Sequence, residues 1–99
     1  WDKPPTVLDL KKVYAFDPVA GIPAEARRYV LGGQANNWAE YTPSEKALEW
    51  KLWPRACAMA EVLWCGGGSH TYEDFLGRLA PACARLKAQG VNVAPVPEN

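Results

Sequence analysis

Ninety-nine residues, 48% hydrophobic and 22% charged, make an ordinary globular composition and exclude a disordered chain. Lysine plus arginine and aspartate plus glutamate each count 11, so the formal net charge is zero. That excludes the basic footprint of a nucleic-acid binder or an anionic-membrane binder. The length allows one domain with one modest core, burying about 65% of the chain's surface. No run approaches the ~20 apolar residues of a membrane span, and no basic-then-apolar leader opens the sequence. The chain starts Trp1-Asp2-Lys3 and its one methionine is Met59, as expected of an excised or processed piece of a longer protein.

Thr6 and Asp9, three apart, read as a capping box ahead of a short helix whose apolar face is Leu10, Val13 and Tyr14. Pro18, Gly21 and Pro23 mark a turn-rich connection, and Glu25 to Arg28 add a helical turn. Tyr29-Val30-Leu31, closed by Gly32-Gly33, is too short for a helix and reads as a buried strand. A polar and aromatic loop, Gln34 to Ser44, follows.

Ser44 is an N-cap candidate, and Ser44 to Trp64 carries the longest helical pattern. Leu48, Leu52, Ala56, Met59 and Leu63 make one stripe, and Trp53, Cys57, Ala60 and Trp64 a second beside it. A helix apolar around so much of its circumference is expected to be covered on more than one side. Pro54 must kink it, because proline lacks the N–H and clashes with the preceding turn. Thr71 and Asp74 read as a second capping box. The helix they open has Tyr72, Phe75, Leu76, Leu79, Cys83 and Leu86 on one face, a bend at Pro81 and Gly90 as its C′ residue. Residues 91–99 look like an extended tail.

Cys57, Cys65 and Cys83 stand at spacings of eight and eighteen, with one histidine, His70. This is neither a disulfide framework nor a structural zinc pattern, and no metal and no cofactor is expected. Glu73-Asp74 suit a helix N-terminus rather than acid–base catalysis, and no phosphate loop follows either glycine cluster. Arg55 and Glu61 lie about 240° apart around one helix and cannot pair with each other, so each finds a partner in another element or faces solvent, a structural role being favoured. Trp38 and Glu40 admit two readings: by spacing alone the stronger is a core tryptophan and a solvated loop charge, and the other is a ligand site. An indole offers a flat apolar platform and a carboxylate accepts from hydroxyls, the pair that a sugar ring wants. Past the end of a buried strand is also where α/β folds bind ligands.

The run VLGGQANNWAEY, followed by EKALEWKLWPRACAMAEVLW, resembles the C-terminal end of the catalytic domain of glycoside hydrolase family 20, the β-N-acetylhexosaminidases. VYAFDPV upstream and YEDFLGRL and RLKAQGVN downstream are similar to the same family in the same order. The resemblance implies a mainly α chain with one short β-strand, the C-terminal fragment (strand eight at about 29–34, and the last helices) of a (β/α)8 barrel. A whole barrel takes about 250 residues, so this one is incomplete. It implies hydrolysis of terminal non-reducing N-acetylhexosamine by substrate-assisted, retaining catalysis, an exception to the two-carboxylate scheme. The catalytic Asp-Glu pair of the family is not in this chain, so no catalytic residue is assigned and the fragment is expected to be inactive alone. Trp38 matches the tryptophan that walls the N-acetyl sugar pocket, and Glu40 the carboxylate that bonds the outer sugar hydroxyls. Gln34, Asn36 and Asn37 receive no role. Asn37 replaces an apolar residue of many relatives, and Arg55 and Glu61 match structural positions. The implied partners are N-acetylhexosamine-containing glycans, with no nucleic acid and no membrane span. Family members are often exported or lysosomal, and the compartment stays open. Two alternatives remain: a self-standing helical module that binds a partner or itself, without enzymatic activity, and a sugar-binding module using Trp38 as its platform. The isolated fragment is expected to self-associate.

Overall fold

Residues 8–38 and 42–96 are described by a computed structural model of the chain. Four α-helices run in order: α1 Leu10–Tyr14, α2 Glu45–Leu52, α3 Arg55–Cys65 and α4 Tyr72–Ala88. A 3-10 helix, Ala24–Tyr29, lies between α1 and α2. Asp9 itself caps α1, its Oδ1 accepting from the Lys11 N–H at 3.0 Å. The Thr6 half of the expected capping box lies outside the described residues. Ser44 and Thr71 cap α2 and α4 as their sequences dictate, each accepting from the third residue of its helix, Ala47 and Asp74, at 3.1 Å.

Proline divides the long pattern rather than merely bending it. The Trp53–Pro54 peptide is cis, α2 ends at Leu52, and α3 starts at Arg55 with Pro54 buried in the corner. Arg55 closes the break: its Nη1 donates to the carbonyls of Trp50 and Lys51 at 2.8 and 2.9 Å, and its Nε to the carbonyl of Leu8. One guanidinium thus satisfies two of the carbonyls that the end of α2 leaves open and ties in the chain ahead of α1. Pro81, in contrast, sits inside an unbroken α4. That helix ends in a Schellman motif, with the Val91 N–H on the Leu86 carbonyl at 3.1 Å and the Gly90 N–H on the Lys87 carbonyl at 3.0 Å. Gly90 holds φ 87°, the left-handed conformation the motif demands.

The core forms where α1, α3 and α4 meet, around Leu10, Val13, Tyr14, Ala58, Val62, Phe75, Leu79, Cys83 and Val93. Tyr14 stacks on Phe75 with ring centroids 4.4 Å apart. The α4 face is the one its periodicity predicts. On α2 and α3 the fully buried positions are Ala47, Ala58 and Val62, while the larger stripe (Leu48, Leu52, Met59, Leu63) is only half-covered. The second stripe ends at Trp64, which is 90% exposed. Coverage on two sides is therefore not achieved by the described residues. Residues 91–96 pack back against the body: the Ala94 N–H bonds the Trp53 carbonyl at 2.9 Å, and the Asn92 N–H bonds the Glu49 carboxylate at 2.7 Å.

The strand expected at Tyr29–Leu31 does not form. Tyr29 closes the 3-10 helix, the Val30 N–H turns back to the Arg27 carbonyl at 3.0 Å, and Leu31 is 98% exposed. Strands are completed by hydrogen bonds to a neighbour, and among the described residues no second strand offers them. Val30 keeps an extended backbone (φ −87°, ψ 109°). The radius of gyration is 14.7 Å, against about 12.6 Å for a compact domain of this length, in keeping with large apolar side chains left on the surface.

Candidate functional site

The segment between Val30 and α2 carries the residues singled out for chemistry. Trp38 is 68% exposed, its indole on the surface and outside the core. Its backbone is braced by Thr42, whose hydroxyl lies 3.3 Å from the Trp38 carbonyl and 3.1 Å from Asn37 Oδ1. Lys51, on α2, places its Nζ 3.2 Å from the same hydroxyl. The Trp38 backbone is thus linked through Thr42 to a helix. Gln34 and Asn36 touch each other, side chain to side chain, at 3.4 Å. Glu40 lies outside the described residues.

An open concavity beside the segment is lined by Tyr29, Leu31, Gly32, Gly33 and Gln34. Trp38 is not among its walls. Arg28 lies over the Tyr29 ring, 4.8 Å from its centroid, and donates to the Tyr29 hydroxyl at 2.7 Å. Among the described residues, no three histidine, cysteine, aspartate or glutamate side chains converge as a metal ion would require. No helix among them is long and apolar enough to cross a membrane.

The charged residues of α3, both half-buried, are partnered. Glu61 accepts from the Tyr14 hydroxyl at 2.5 Å and from both Nε and Nη2 of Arg78, at 2.9 and 2.6 Å. Arg78 holds the Glu61 carboxyl below its ordinary range, with the Tyr14 bond adding to the effect and burial opposing it. Burial, then the Glu61 contact, pushes the Tyr14 hydroxyl up to about 12. This network supports the fold and stands apart from the Trp38 segment. Sequence spacing pointed to partners for Arg55 and Glu61 without naming them. Tyr14 could have been suspected, since a tyrosine on a buried face needs an acceptor for its hydroxyl. Thr42 and Lys51 carry no such signal.

The sequence profile described as glycosyl hydrolase family 20, catalytic domain, matches residues 2–67. The chain belongs to glycosyl hydrolase family 20. A β-hexosaminidase of Porphyromonas gingivalis is 42% identical over 91 residues, 90% of this chain and 12% of that enzyme. The rat β-hexosaminidase subunit alpha is 34% identical over 90 residues, 89% of this chain and 17% of that subunit. Among solved structures, an exo-β-N-acetylglucosaminidase of Vibrio harveyi, in complex with N-acetylglucosamine, is similar with a TM-score of 0.79 and 32% identity. That match covers 89% of this chain and 14% of the Vibrio chain. The chain therefore spans well under a fifth of the length of the relatives it matches.

Proposed function

We propose that this chain is part of a β-N-acetylhexosaminidase and supplies the sugar subsite rather than the reacting groups. In this reading the whole protein removes terminal non-reducing N-acetylhexosamine residues. The substrate's own acetamido oxygen is the nucleophile, and the Asp-Glu pair that orients and protonates lies elsewhere in the protein. Trp38 walls the pocket with its indole face against the C–H face of the sugar, and Glu40 takes hydrogen bonds from the outer hydroxyls. The extended backbone at Val30 joins its neighbours as the eighth strand of the barrel, with α2 to α4 outside it. Membership of the family, together with an indole on the surface whose backbone carbonyl is met by Thr42, carries this reading. The similar Vibrio enzyme was solved with N-acetylglucosamine, the sugar class proposed here.

Two measurements test it. The purified chain should show no turnover of a chromogenic N-acetylglucosaminide. In the full-length protein, Glu40→Ala should lower kcat/KM by at least the roughly tenfold expected from the loss of one charged hydrogen bond to substrate. Turnover by the isolated chain, or an unchanged Glu40→Ala enzyme, refutes the assignment.

A second reading is favoured by Leu31, Trp64 and Tyr29, which are 98%, 90% and 70% exposed. Isolated from the rest of its protein, the chain pairs with a second copy through these side chains. Light scattering should then show a dimer at micromolar concentration, and a stable monomer would exclude it.

A further inference from the structure

We propose that Gly33 is a positioning residue, where the segment carrying Trp38 rests directly on Leu63 and Phe16, so that the size of this one residue sets where the indole stands. The inference rests on the sugar-wall role proposed for Trp38. A Cβ at Gly33 would lie 3.1 Å from Leu63 Cδ2, with Phe16 Cε2 and Cζ at 3.4 and 3.8 Å. A Cβ at Gly32 would meet nothing within 4 Å. Neither glycine occupies the left-handed region, so glycine is not needed at 33 for its conformational freedom. What the position requires is the absence of a side chain.

The neighbours make this the seat of the segment. Leu31, two residues before, is 98% exposed in this chain and makes no such contact with α3 here. Leu63 belongs to α3, which Glu61 fastens to Tyr14 of α1 and Arg78 of α4, and Phe16 follows directly on α1. The seat therefore joins half-buried Leu63 of α3 to the chain just past α1, where Phe16 is itself 41% exposed. On the far side, Thr42 and Lys51 hold the Trp38 end to α2. The two holds are Gly33 and Thr42, and Trp38 lies between them in sequence, so a lift at Gly33 is passed along the backbone that carries the indole. A contact at 3.1 Å cannot be accepted by a methyl group unless Leu63 or the segment gives way by a few tenths of an ångström.

The test uses the full-length hydrolase and a chromogenic N-acetylglucosaminide. Gly33→Ala should raise KM roughly three- to tenfold with a much smaller change in kcat, well short of the ~100-fold that a full ångström of misplacement can cost at a reacting centre. Gly32→Ala should leave both constants unchanged. Adding Leu63→Ala to Gly33→Ala should bring KM back toward the parent value, a rescue that a merely destabilising change would not give. If Gly33→Ala does not yield folded enzyme, Leu63→Val withdraws support from the helix side and should itself raise KM. An unchanged KM in that variant, an unchanged KM in Gly33→Ala, or no rescue in the double variant overturns the proposal. Trp38→Ala separates the two levels. If it raises KM while Gly33→Ala does not, the seat is refuted and the sugar wall stands, and if it leaves KM unchanged both fall.

Discussion

The Tyr14 hydroxyl meets the Glu61 carboxylate at 2.5 Å, joining α1 to α3 across 47 residues of sequence, and Arg78 of α4 binds the same carboxylate with two nitrogens. Three helices are joined at a single acid. Removing Glu61 strands a buried tyrosine hydroxyl, which costs about 1–3 kcal/mol. Removing Arg78 breaks a half-exposed ion pair, a weaker loss. Denaturant titration should therefore rank Glu61→Ala as more destabilising than Arg78→Ala, with Tyr14→Phe losing about 1–3 kcal/mol as the donor to a charged acceptor.

The same network sets the dependence of stability on pH. Glu61 holds its proton less tightly folded than unfolded, so below its ordinary value of 4.5 the unfolded chain binds more protons and stability falls as pH falls. Tyr14 has the opposite sign. Its proton is held up to about 12 in the fold against 10.0 in the open chain, so stability is lost as pH rises through that window. Glu61→Gln should flatten the acid limb of a plot of midpoint against pH. An acid limb of undiminished slope in that variant would refute the assignment.

Two glycines of α4 and its cap should respond in opposite directions. Gly90 has φ 87°, and alanine there should cost about 1 kcal/mol. Gly77 lies within α4, exposed, with nothing within 4 Å of an added Cβ, and alanine there should stabilise by about 0.4–1 kcal/mol. Thermal midpoints of the two variants check the sign of each.

The thiols should separate by environment. Burial pushes the Cys57 and Cys83 thiols up, Cys57 further through its proximity to Cys83, whereas Cys65 is exposed. Native chain treated with a thiol reagent at neutral pH should be modified at Cys65 first, at half-buried Cys57 more slowly, and at buried Cys83 only on unfolding. Peptide mapping showing early modification of Cys83 would contradict the packing of α4.

Much of the helical framework was legible in residue patterns because caps and proline act locally. Ser44, Thr71, Pro54 and Gly90 each do what their chemistry dictates within a few residues. Arg55 and Glu61 were legible as charges in need of partners, while the partners themselves, across tens of residues, were not. The strand at Tyr29–Leu31 was misread because a β-branched apolar run states only that burial is wanted. What covers it must come from a neighbour, and the described residues supply none. For the same reason the half-covered stripe on α2 and α3 reads as a buried helix in sequence and stands partly open in the structure. Trp38 was picked out by residue type and resemblance together, whereas its brace, Thr42 and Lys51, gave no pattern to read.

The most direct test of the account is kcat/KM of the full-length protein carrying Trp38→Ala, measured on a chromogenic N-acetylglucosaminide with the fold verified by its thermal midpoint. Loss of an aromatic wall worth about 1–3 kcal/mol of sugar contact predicts a fall of roughly five- to 150-fold with the midpoint unmoved, since the indole lies outside the core. An unaltered kcat/KM, or a fall matched by a collapse of the midpoint, would contradict it.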